Sequence, residues 1–439
     1  MKMNLRQVNY FLGFGLLFYL ATLSSIFNRY IPVVLTYILP LAVLLFFLAA
    51  NRYRIKRYMP KFCFVWLVFW LFMLVGSAML DFDNLAATLS RFACIAMGLL
   101  LLGDSSWFGT ARKLLTGILL LYVGFTYLFF LLPGLYPMMI DLYGYVPAGT
   151  SGGTAGYRAG LAAHYSSNGI FLSVCLMLVV TLYLVSRRGE GRKVVRQGRF
   201  EGILIILLVA VALLLTGKRG VLLWCLFALL ATYFITSQEK VSATVKLLMV
   251  GLFVLALLMG LMDTVPEIGY VFERFTTMGT DGASLERLAM WQLALSMFAS
   301  NPLIGTGFWS FRYYFKDSLF GVFQKDIRYS MLDAHNVYFQ VLGETGLVGF
   351  TIYMLAVILT LIEGIRLAKL LSRHPEREIR FAASFALTLQ IFYLLYSLSG
   401  NCLYDIVFYF YGLSLALTSA LKYYVYRQKF ETQKLEVQA

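Results

Sequence analysis

The sequence predicts an all-α integral membrane protein of about twelve transmembrane helices, with a large extracytoplasmic loop that contains helices of its own. Composition is the first reason, because the 439 residues are 60% hydrophobic, 16% aromatic and only 13% charged. Ordinary soluble domains carry about 25% charged residues, so a soluble globular domain is excluded. The other two reasons are the spacing of the apolar stretches and the distribution of Lys and Arg between them.

Apolar stretches long enough to cross a bilayer recur along the chain, since a transmembrane helix needs about 20 mostly apolar residues. Their approximate cores are 8–27, 31–50, 62–80, 85–103, 113–133, 169–186, 201–216, 220–236, 245–262, 347–365, 381–399 and 404–421. An even number of spans places both termini on the same side of the membrane.

The positive charges predict the orientation of these spans. With the N-terminus inside, the inside segments hold 26 Lys and Arg residues and the outside segments hold 10. Cytoplasmic loops carry such an excess, so we expect both termini in the cytoplasm. The formal net charge of +15 comes from these short loop clusters, and we therefore expect membrane lipids and no nucleic acid as partners.

Two outside segments are too long to be simple connectors, and long loops often carry function. We expect residues 1–262 to form the first nine transmembrane helices, with one flexible outer loop at 134–168. An extracytoplasmic loop domain follows at 263–346, then the last three spans at 347–421 and a cytoplasmic tail at 422–439.

Cations that remain on the outside are candidate ligands for an anion. Lys218 and Arg219 lie in a short turn between two spans, Arg158 lies in the first outer loop, and Arg287 lies in a helix predicted at about 284–299. The planar guanidinium group suits two-point contact with phosphate oxygens, so we expect these cations to converge on one outward cavity that binds a lipid diphosphate. The alternative is that they snorkel to the lipid boundary or pair with loop carboxylates.

His335 is the sharpest candidate among the three histidines, because it directly precedes a span and would stand at the outer membrane face. An imidazole there can take a proton from a hydroxyl nucleophile near neutral pH. His164 lies in the first outer loop and can line the same cavity. The alternative for both is a hydrogen-bonded structural histidine.

Glu344 and Asp333 are candidates to orient the His335 imidazole. Glu344 follows His335 by two and a half helical turns, so one continuous helix would place the two side chains on opposite faces. Gly343 and Gly346 flank the glutamate, and they indicate a break in the helix that would change this relation.

Arg91 lies within a predicted span, where an ionisable side chain is a functional candidate unless it pairs with an outer carboxylate. The nearby Asp81 and Asp83 leave open a metal-dependent reaction as an alternative. We nevertheless expect no metal and no cofactor, because the cysteines show no zinc-binding spacing and lie in or beside apolar stretches. These are Cys63, Cys94, Cys175, Cys225 and Cys402.

Four short motifs between about 160 and 350 follow one another in the order typical of one family. They are Arg158-Ala159-Gly160 with Asn168-Gly169; Thr216-Gly217-Lys218-Arg219-Gly220; Arg287-x-x-x-Trp291 running into Pro302-Leu303-Ile304-Gly305-Thr306-Gly307; and Ala334-His335-Asn336-x-Tyr338 through Glu344-x-Gly346-x-x-Gly349. In this pattern the chain resembles the O-antigen ligase and polymerase superfamily. Lys218 departs from the small hydroxyl residue that is more usual before the arginine.

The resemblance implies a GT-C-like glycosyltransferase in the bacterial inner membrane, with its active site on the extracytoplasmic face. It implies that Arg219 and Arg287 bind the diphosphate of an undecaprenyl-diphosphate-linked glycan donor. It also implies that His335 acts as a base or positions the acceptor hydroxyl, with Asn336 and Tyr338 beside it in the substrate site.

The reaction expected from the resemblance is polymerisation of surface polysaccharide, with a glycan acceptor and a chain-length regulator as a further partner. The first alternative is a ligase that moves the finished glycan onto lipid A core or another acceptor. An alternative of a different class is a transporter of a lipid-linked glycan, although corresponding helix-interrupting Gly/Pro pairs are not evident in the two halves of the sequence.

Overall fold

The computed structural model describes most of the chain. The described residues are 4–27, 30, 32–53, 58–80, 85–102, 105–147, 150, 155–187, 195–237, 239–242, 244–245, 282–318 and 332–438. Asp81 and Asp83, most of the predicted span 245–262 and the first part of the predicted outer domain therefore lie outside the described residues.

The described residues form α-helices joined by turns, and no strand occurs among them. The helices are α1 (Leu5–Phe18), α2 (Ser24–Phe27), α3 (Val33–Ala50), α4 (Lys61–Leu80), α5 (Leu85–Leu100), α6 (Trp107–Leu131), α7 (Pro137–Tyr143), α8 (Tyr165–Arg187), α9 (Val195–Leu215), α10 (Arg219–Thr236), α11 (Gly282–Ser300), α12 (Phe311–Asp317), α13 (Val337–Leu371), α14 (Arg377–Tyr396) and α15 (Val407–Gln438). A π-helical turn at Tyr19–Leu23 joins α1 to α2. Every predicted span other than 245–262 overlaps one of these helices.

Within the described part of the chain, five helices are long and apolar enough to cross a membrane. These are α6, α8, α10, α13 and α14, and shorter apolar helices occur in α3, α4, α5 and α9. The predicted class, an all-α membrane protein, is confirmed. The number of about twelve spans and the division of the chain at 262, 346 and 421 remain predictions.

The chain divides into two compact units. The first consists of Met1–Pro32, Ser105–Thr276 and Gly364–Phe392, and the second of Val33–Asp104, Thr277–Glu363 and Tyr393–Ala439. In the first unit, α6 packs against α1 and α8, and α8 also contacts α9 and α10. The Tyr122 hydroxyl donates to the Thr22 carbonyl over 2.6 Å, which satisfies a polar group inside the apolar bundle.

In the second unit, α3, α4 and α15 pack against α5. Trp66 on α4 is fully buried, and its indole makes edge-to-face contacts with Tyr353 and Tyr411. The indole N–H donates to the Thr360 hydroxyl over 3.2 Å. An aromatic side chain of this size can stay buried because its one polar group has a partner.

The contact between α5 and α15 depends on small residues. A Cβ atom added to Gly412 would lie 2.5 Å from the Cβ atom and 3.0 Å from the Cα atom of Cys94. Glycines let helix backbones approach closely in membranes, where van der Waals contact replaces the hydrophobic effect as the main attraction.

We predict that Gly412→Ala destabilises the protein by about 1–3 kcal/mol, because the new methyl group must displace the α5 backbone. Gly117→Ala is the matched control, since Gly117 is also helical but has nothing within 4 Å of an added Cβ atom. Thermal unfolding of both variants in detergent, measured at equal protein concentration, tests this. Equal melting temperatures for the two variants would contradict it.

Candidate active site

The two parts of the first motif, Arg158-Ala159-Gly160 and Asn168-Gly169, contact each other in the first unit. Gly160 has a φ of +54°, and a Cβ atom there would lie 3.0 Å from both Asn168 Nδ2 and Thr126 Oγ1. The buried Asn168 amide donates to Thr126 Oγ1 and to the Arg158 carbonyl, each over 3.0 Å. The glycine therefore allows the Arg158 turn to be tied to the start of α8.

The second motif lies against the first. Gly169 approaches Lys218 so closely that an added Cβ atom would be 3.1 Å from the lysine Cβ atom. Gly217 has a φ of +68°, which ends α9 and allows α10 to begin at Arg219. The Lys218 ammonium group lies 4.1 Å from the centre of the Tyr165 ring, at cation–π distance.

His164 belongs to the same cluster. Its Nδ1 atom accepts the Ser166 backbone N–H over 3.0 Å, and its ring centre lies 4.7 Å from that of Tyr165. In the neutral imidazole the proton is therefore on Nε2, as inferred from this hydrogen bond. The first unit thus brings together the two segments that contain four of the predicted residues, which are Arg158, His164, Lys218 and Arg219.

The third and fourth motifs meet in the second unit, through helix α11. Trp291 donates its indole N–H to the Ala334 carbonyl over 3.1 Å. The buried side of α11 is formed by Met290, Ala294 and Met297. Arg287 is exposed and lies one turn before Trp291, which places the guanidinium group on the Trp291 side of the helix.

Besides the bond from Trp291, two further hydrogen bonds hold the backbone around His335. His335 has a φ of +53°, an uncommon conformation for a residue with a side chain. Its N–H donates to Asn401 Oδ1 over 2.9 Å, and the Ala334 N–H donates to Gln340 Oε1 over 2.9 Å. Such a conformation persists where surrounding contacts determine it. The imidazole itself is partly exposed.

Asn336 and Tyr338 anchor the start of α13. The Asn336 side-chain carbonyl accepts the N–H groups of Tyr338 and Phe339 over 3.0 and 3.2 Å, which is an N-cap interaction. The Tyr338 hydroxyl donates to the Leu394 carbonyl over 2.8 Å. Both side chains fix the helix that follows His335, and their contact with substrate remains a prediction.

Asp333 pairs with a residue that the sequence did not single out. The Arg312 guanidinium binds both Asp333 carboxylate oxygens, over 2.8 and 2.7 Å, and Gln340 Nε2 donates to the same carboxylate over 3.1 Å. Burial alone would raise the pKa of the Asp333 carboxyl, but Arg312 and these hydrogen bonds hold it below its usual value, with a smaller contribution from His335.

Two cations lie close to the Trp309 ring. The guanidinium carbons of Arg91 and Arg312 lie 5.0 and 4.9 Å from the centre of its ring. Arg91 is buried, and it donates to the Leu403 and Ala87 carbonyls over 2.9 and 3.0 Å. In the structure this buried arginine therefore connects α5 to the loop before α15 and to the Trp309 ring.

Glu344 is completely buried and accepts four hydrogen bonds. Its Oε2 atom accepts from the Trp309 N–H over 3.0 Å and the Tyr404 hydroxyl over 2.7 Å. Its Oε1 atom accepts from the Phe311 N–H and from Gln340 Nε2, each over 3.1 Å. The predicted break in the helix lies at Gly346, beyond Glu344, so it does not change the relation of Glu344 to His335. The Glu344 carboxylate instead holds the loop before α12.

The structure thus groups the motifs in two pairs, one in each unit. Sequence reasoning missed Arg312, Gln340, Asn401 and Tyr404. Gln340 carried a readable signal, because it lies four residues before Glu344 and shares its helix face. The meeting of Arg219 with Arg287 and His335 in one cavity remains a prediction.

Comparison with known families gives one finding that bears on this site. Residues 203–354 match the family model described as O-antigen ligase. This part of the chain extends from α9 to the first half of α13 and includes the second, third and fourth motifs. The match confirms the predicted resemblance to the O-antigen ligase and polymerase superfamily. A comparison with curated proteins finds no match.

We predict that Asp333→Asn destabilises the protein by about 1–3 kcal/mol, because the Arg312 guanidinium loses a charged partner in a largely buried place. The folded-state pKa of Asp333 lies below its ordinary value of 3.8. Its stabilising contribution is therefore complete above about pH 4 and is lost as the pH falls through the folded-state pKa.

The measurement is the difference in melting temperature between Asp333→Asn and the unaltered protein across pH. It should be constant from about pH 8 to 5 and shrink in more acidic solution. Asp317→Asn, at an exposed aspartate of α12, is the control and should change little. A difference that grows on acidification would show that the folded-state pKa of Asp333 is raised above its ordinary value, which would contradict the prediction.

Proposed function

Because residues 203–354 match the family model described as O-antigen ligase, we propose that this membrane protein is a glycosyltransferase. It transfers a glycan from an undecaprenyl-diphosphate donor to an acceptor at the extracytoplasmic face of the bacterial inner membrane. The leading reaction is polymerisation of surface-polysaccharide repeat units. The observation that carries the proposal is that the matched region includes Arg219, Arg287 and His335.

In the proposed reaction, the acceptor hydroxyl gives its proton to the His335 imidazole and attacks the anomeric carbon. The bond between this carbon and the diphosphate oxygen breaks, and its electron pair stays with the departing diphosphate. The configuration at the anomeric carbon inverts. Arg219 and Arg287 stabilise the developing negative charge, which fixed guanidinium groups can do without a metal ion.

The geometry of the His335 loop supports this role. A general base is effective when it is held close to the position that the reaction requires. Trp291, Gln340 and Asn401 fix the two residues Ala334 and His335 through their backbone groups, which leaves the imidazole itself at a partly exposed position.

The decisive experiment uses purified protein in proteoliposomes with a synthetic undecaprenyl-diphosphate oligosaccharide. A polymerase makes a ladder of products from the lipid-linked oligosaccharide alone. A ligase makes one product and only when lipid A core or a similar acceptor is present. Movement of the donor across the bilayer without a new glycosidic bond would instead support a transporter, and activity lost in EDTA would contradict the metal-independent mechanism.

We predict that Arg219→Ala and Arg287→Ala each lower kcat by about 10²–10³, as removal of one fixed donor to a developing anion does. Arg427→Ala is the control, because Arg427 is an exposed arginine of α15. Initial rates in the proteoliposome assay, at equal amounts of folded protein, measure the effect. A rate within about threefold of the control for either variant would remove that arginine from the mechanism.

We predict that His335→Ala lowers the rate by about 10²–10⁴ if the imidazole is the general base. His335→Asn separates this role from a structural one, because asparagine also tolerates a positive φ but cannot take a proton near neutral pH. Both variants should be equally slow and fold normally. A His335→Asn rate close to that of the unaltered protein would show that the side chain only positions the acceptor.

A further inference from the structure

Helix α13 is interrupted where Gly346 adopts a φ of +61° and a ψ of −167°. Beyond this point the N–H groups of Leu347 and Val348 lack helical partners. They donate instead to the carbonyls of Pro302 and Leu303, over 2.8 and 3.1 Å. A segment from before α12 therefore caps the second half of α13.

The same segment also caps the first half of α13. The Thr306 N–H donates to the Gly343 carbonyl over 3.3 Å, and the Gly307 N–H donates to the Glu344 carbonyl over 2.8 Å. Residues 301–307, which we call the tip hairpin, thus satisfy backbone groups on both sides of the interruption.

Two glycines hold the tip hairpin directly against the helix backbone. Gly305 has a φ of +72°, and a Cβ atom there would overlap the Glu344 carbonyl. A Cβ atom on Gly346 would lie 2.5 Å from the Leu303 carbonyl carbon. The tip hairpin is therefore fixed at the level of Gly346 along α13.

The tip hairpin presents large apolar side chains away from the protein. Leu303 and Ile304 are 66% and 67% exposed. The first residues after the interruption, Leu347 and Val348, are 53% and 44% exposed. Four such neighbours form one continuous apolar surface, which is unusual for a surface that faces only water.

The exposed side of α13 indicates how deep this surface lies relative to a membrane. It continues from Leu347 as a stripe of helical spacing made by Thr351, Leu355, Ile358 and Ile362. From Leu347 to Ile362 the helix rises by about 22 Å. Arg366 and Lys369 then follow in the sequence, so the apolar stripe fits the hydrocarbon layer of about 30 Å with Leu347 near one edge.

We propose that Leu303 and Ile304 insert into the lipid at the membrane surface, and that the tip hairpin is an interfacial anchor. The occupant of its apolar surface is the lipid bilayer, because Leu347 joins this surface to the exposed stripe of α13, a helix long and apolar enough to cross a membrane. The hydrogen bonds at the interruption fit this environment, since non-helical backbone at membrane depth must have its polar groups satisfied by the protein.

The anchor fixes the position of the elements that join the tip hairpin. Helix α11 ends at Ser300, directly before it, and α12 begins at Phe311, shortly after it. Insertion of Leu303 and Ile304 therefore holds the end of α11 at the boundary between lipid and water. This holds whether or not the proposed glycosyl transfer is correct.

The test is to place an environment-sensitive fluorophore, NBD, on a single introduced cysteine in the full chain, reconstituted in phosphatidylglycerol and phosphatidylethanolamine nanodiscs. Ile304→Cys is the test variant, and its high exposure means that little packing is lost. Leu355→Cys, in the exposed apolar stripe, is the reference for lipid. Asp317→Cys, at an exposed aspartate, is the reference for water.

The native cysteines are buried, and labelling of the unaltered protein gives the background. We expect NBD at position 304 to emit at the shorter wavelength seen at position 355, and to be quenched at least twofold by lipids that carry a doxyl group. Emission and quenching like those at position 317 would overturn the proposal. Short-wavelength emission without quenching by doxyl lipid would also overturn it, since a second copy of the chain would then cover the surface.

Discussion

The second unit depends on one carboxylate that is withdrawn from water. Glu344 accepts hydrogen bonds from two backbone N–H groups, a tyrosine hydroxyl and a glutamine amide. A buried carboxylate is costly unless its oxygens are satisfied, and here each oxygen has two donors. The donors come from three separate parts of the chain. The same four bonds that make burial of the charge tolerable therefore join the loop before α12 to α13 and to the loop before α15.

Gln340 links the buried Glu344 carboxylate to the backbone beside His335, the candidate base. Its amide nitrogen donates to both Glu344 and Asp333, while its carbonyl oxygen accepts the Ala334 N–H. One side chain thus connects the glutamate, the Arg312 ion pair and the backbone beside His335. Networks of this kind are rigid when every member is satisfied. The left-handed conformation of His335 is kept by this network and by Asn401, rather than by the preference of the residue itself.

Sequence reasoning was most successful where one physical signal dominates. Hydropathy located the helices because bilayer thickness dictates their length, and the Gly346 interruption followed from glycines beside Glu344. Partners distant in sequence were not predictable. Asn401 and Tyr404 lie more than fifty residues after the groups they bind, and no local pattern marks them. Arg312 follows an aromatic segment. No residue spacing there indicates whether the arginine is paired with a carboxylate or open to a ligand.

Whether an arginine of the second unit is already paired decides how easily it could bind an anionic substrate. Arg312 is held by both oxygens of Asp333, and Arg91 is buried with donors directed at backbone carbonyls. Moving either to a diphosphate would leave a carboxylate or carbonyl groups without their donors in a region of low dielectric constant. Arg287 is exposed, and it lies one turn from the tryptophan that holds the His335 loop. Binding a phosphate there displaces no buried interaction among the described residues, which makes Arg287 better suited than Arg312 or Arg91 to the proposed donor.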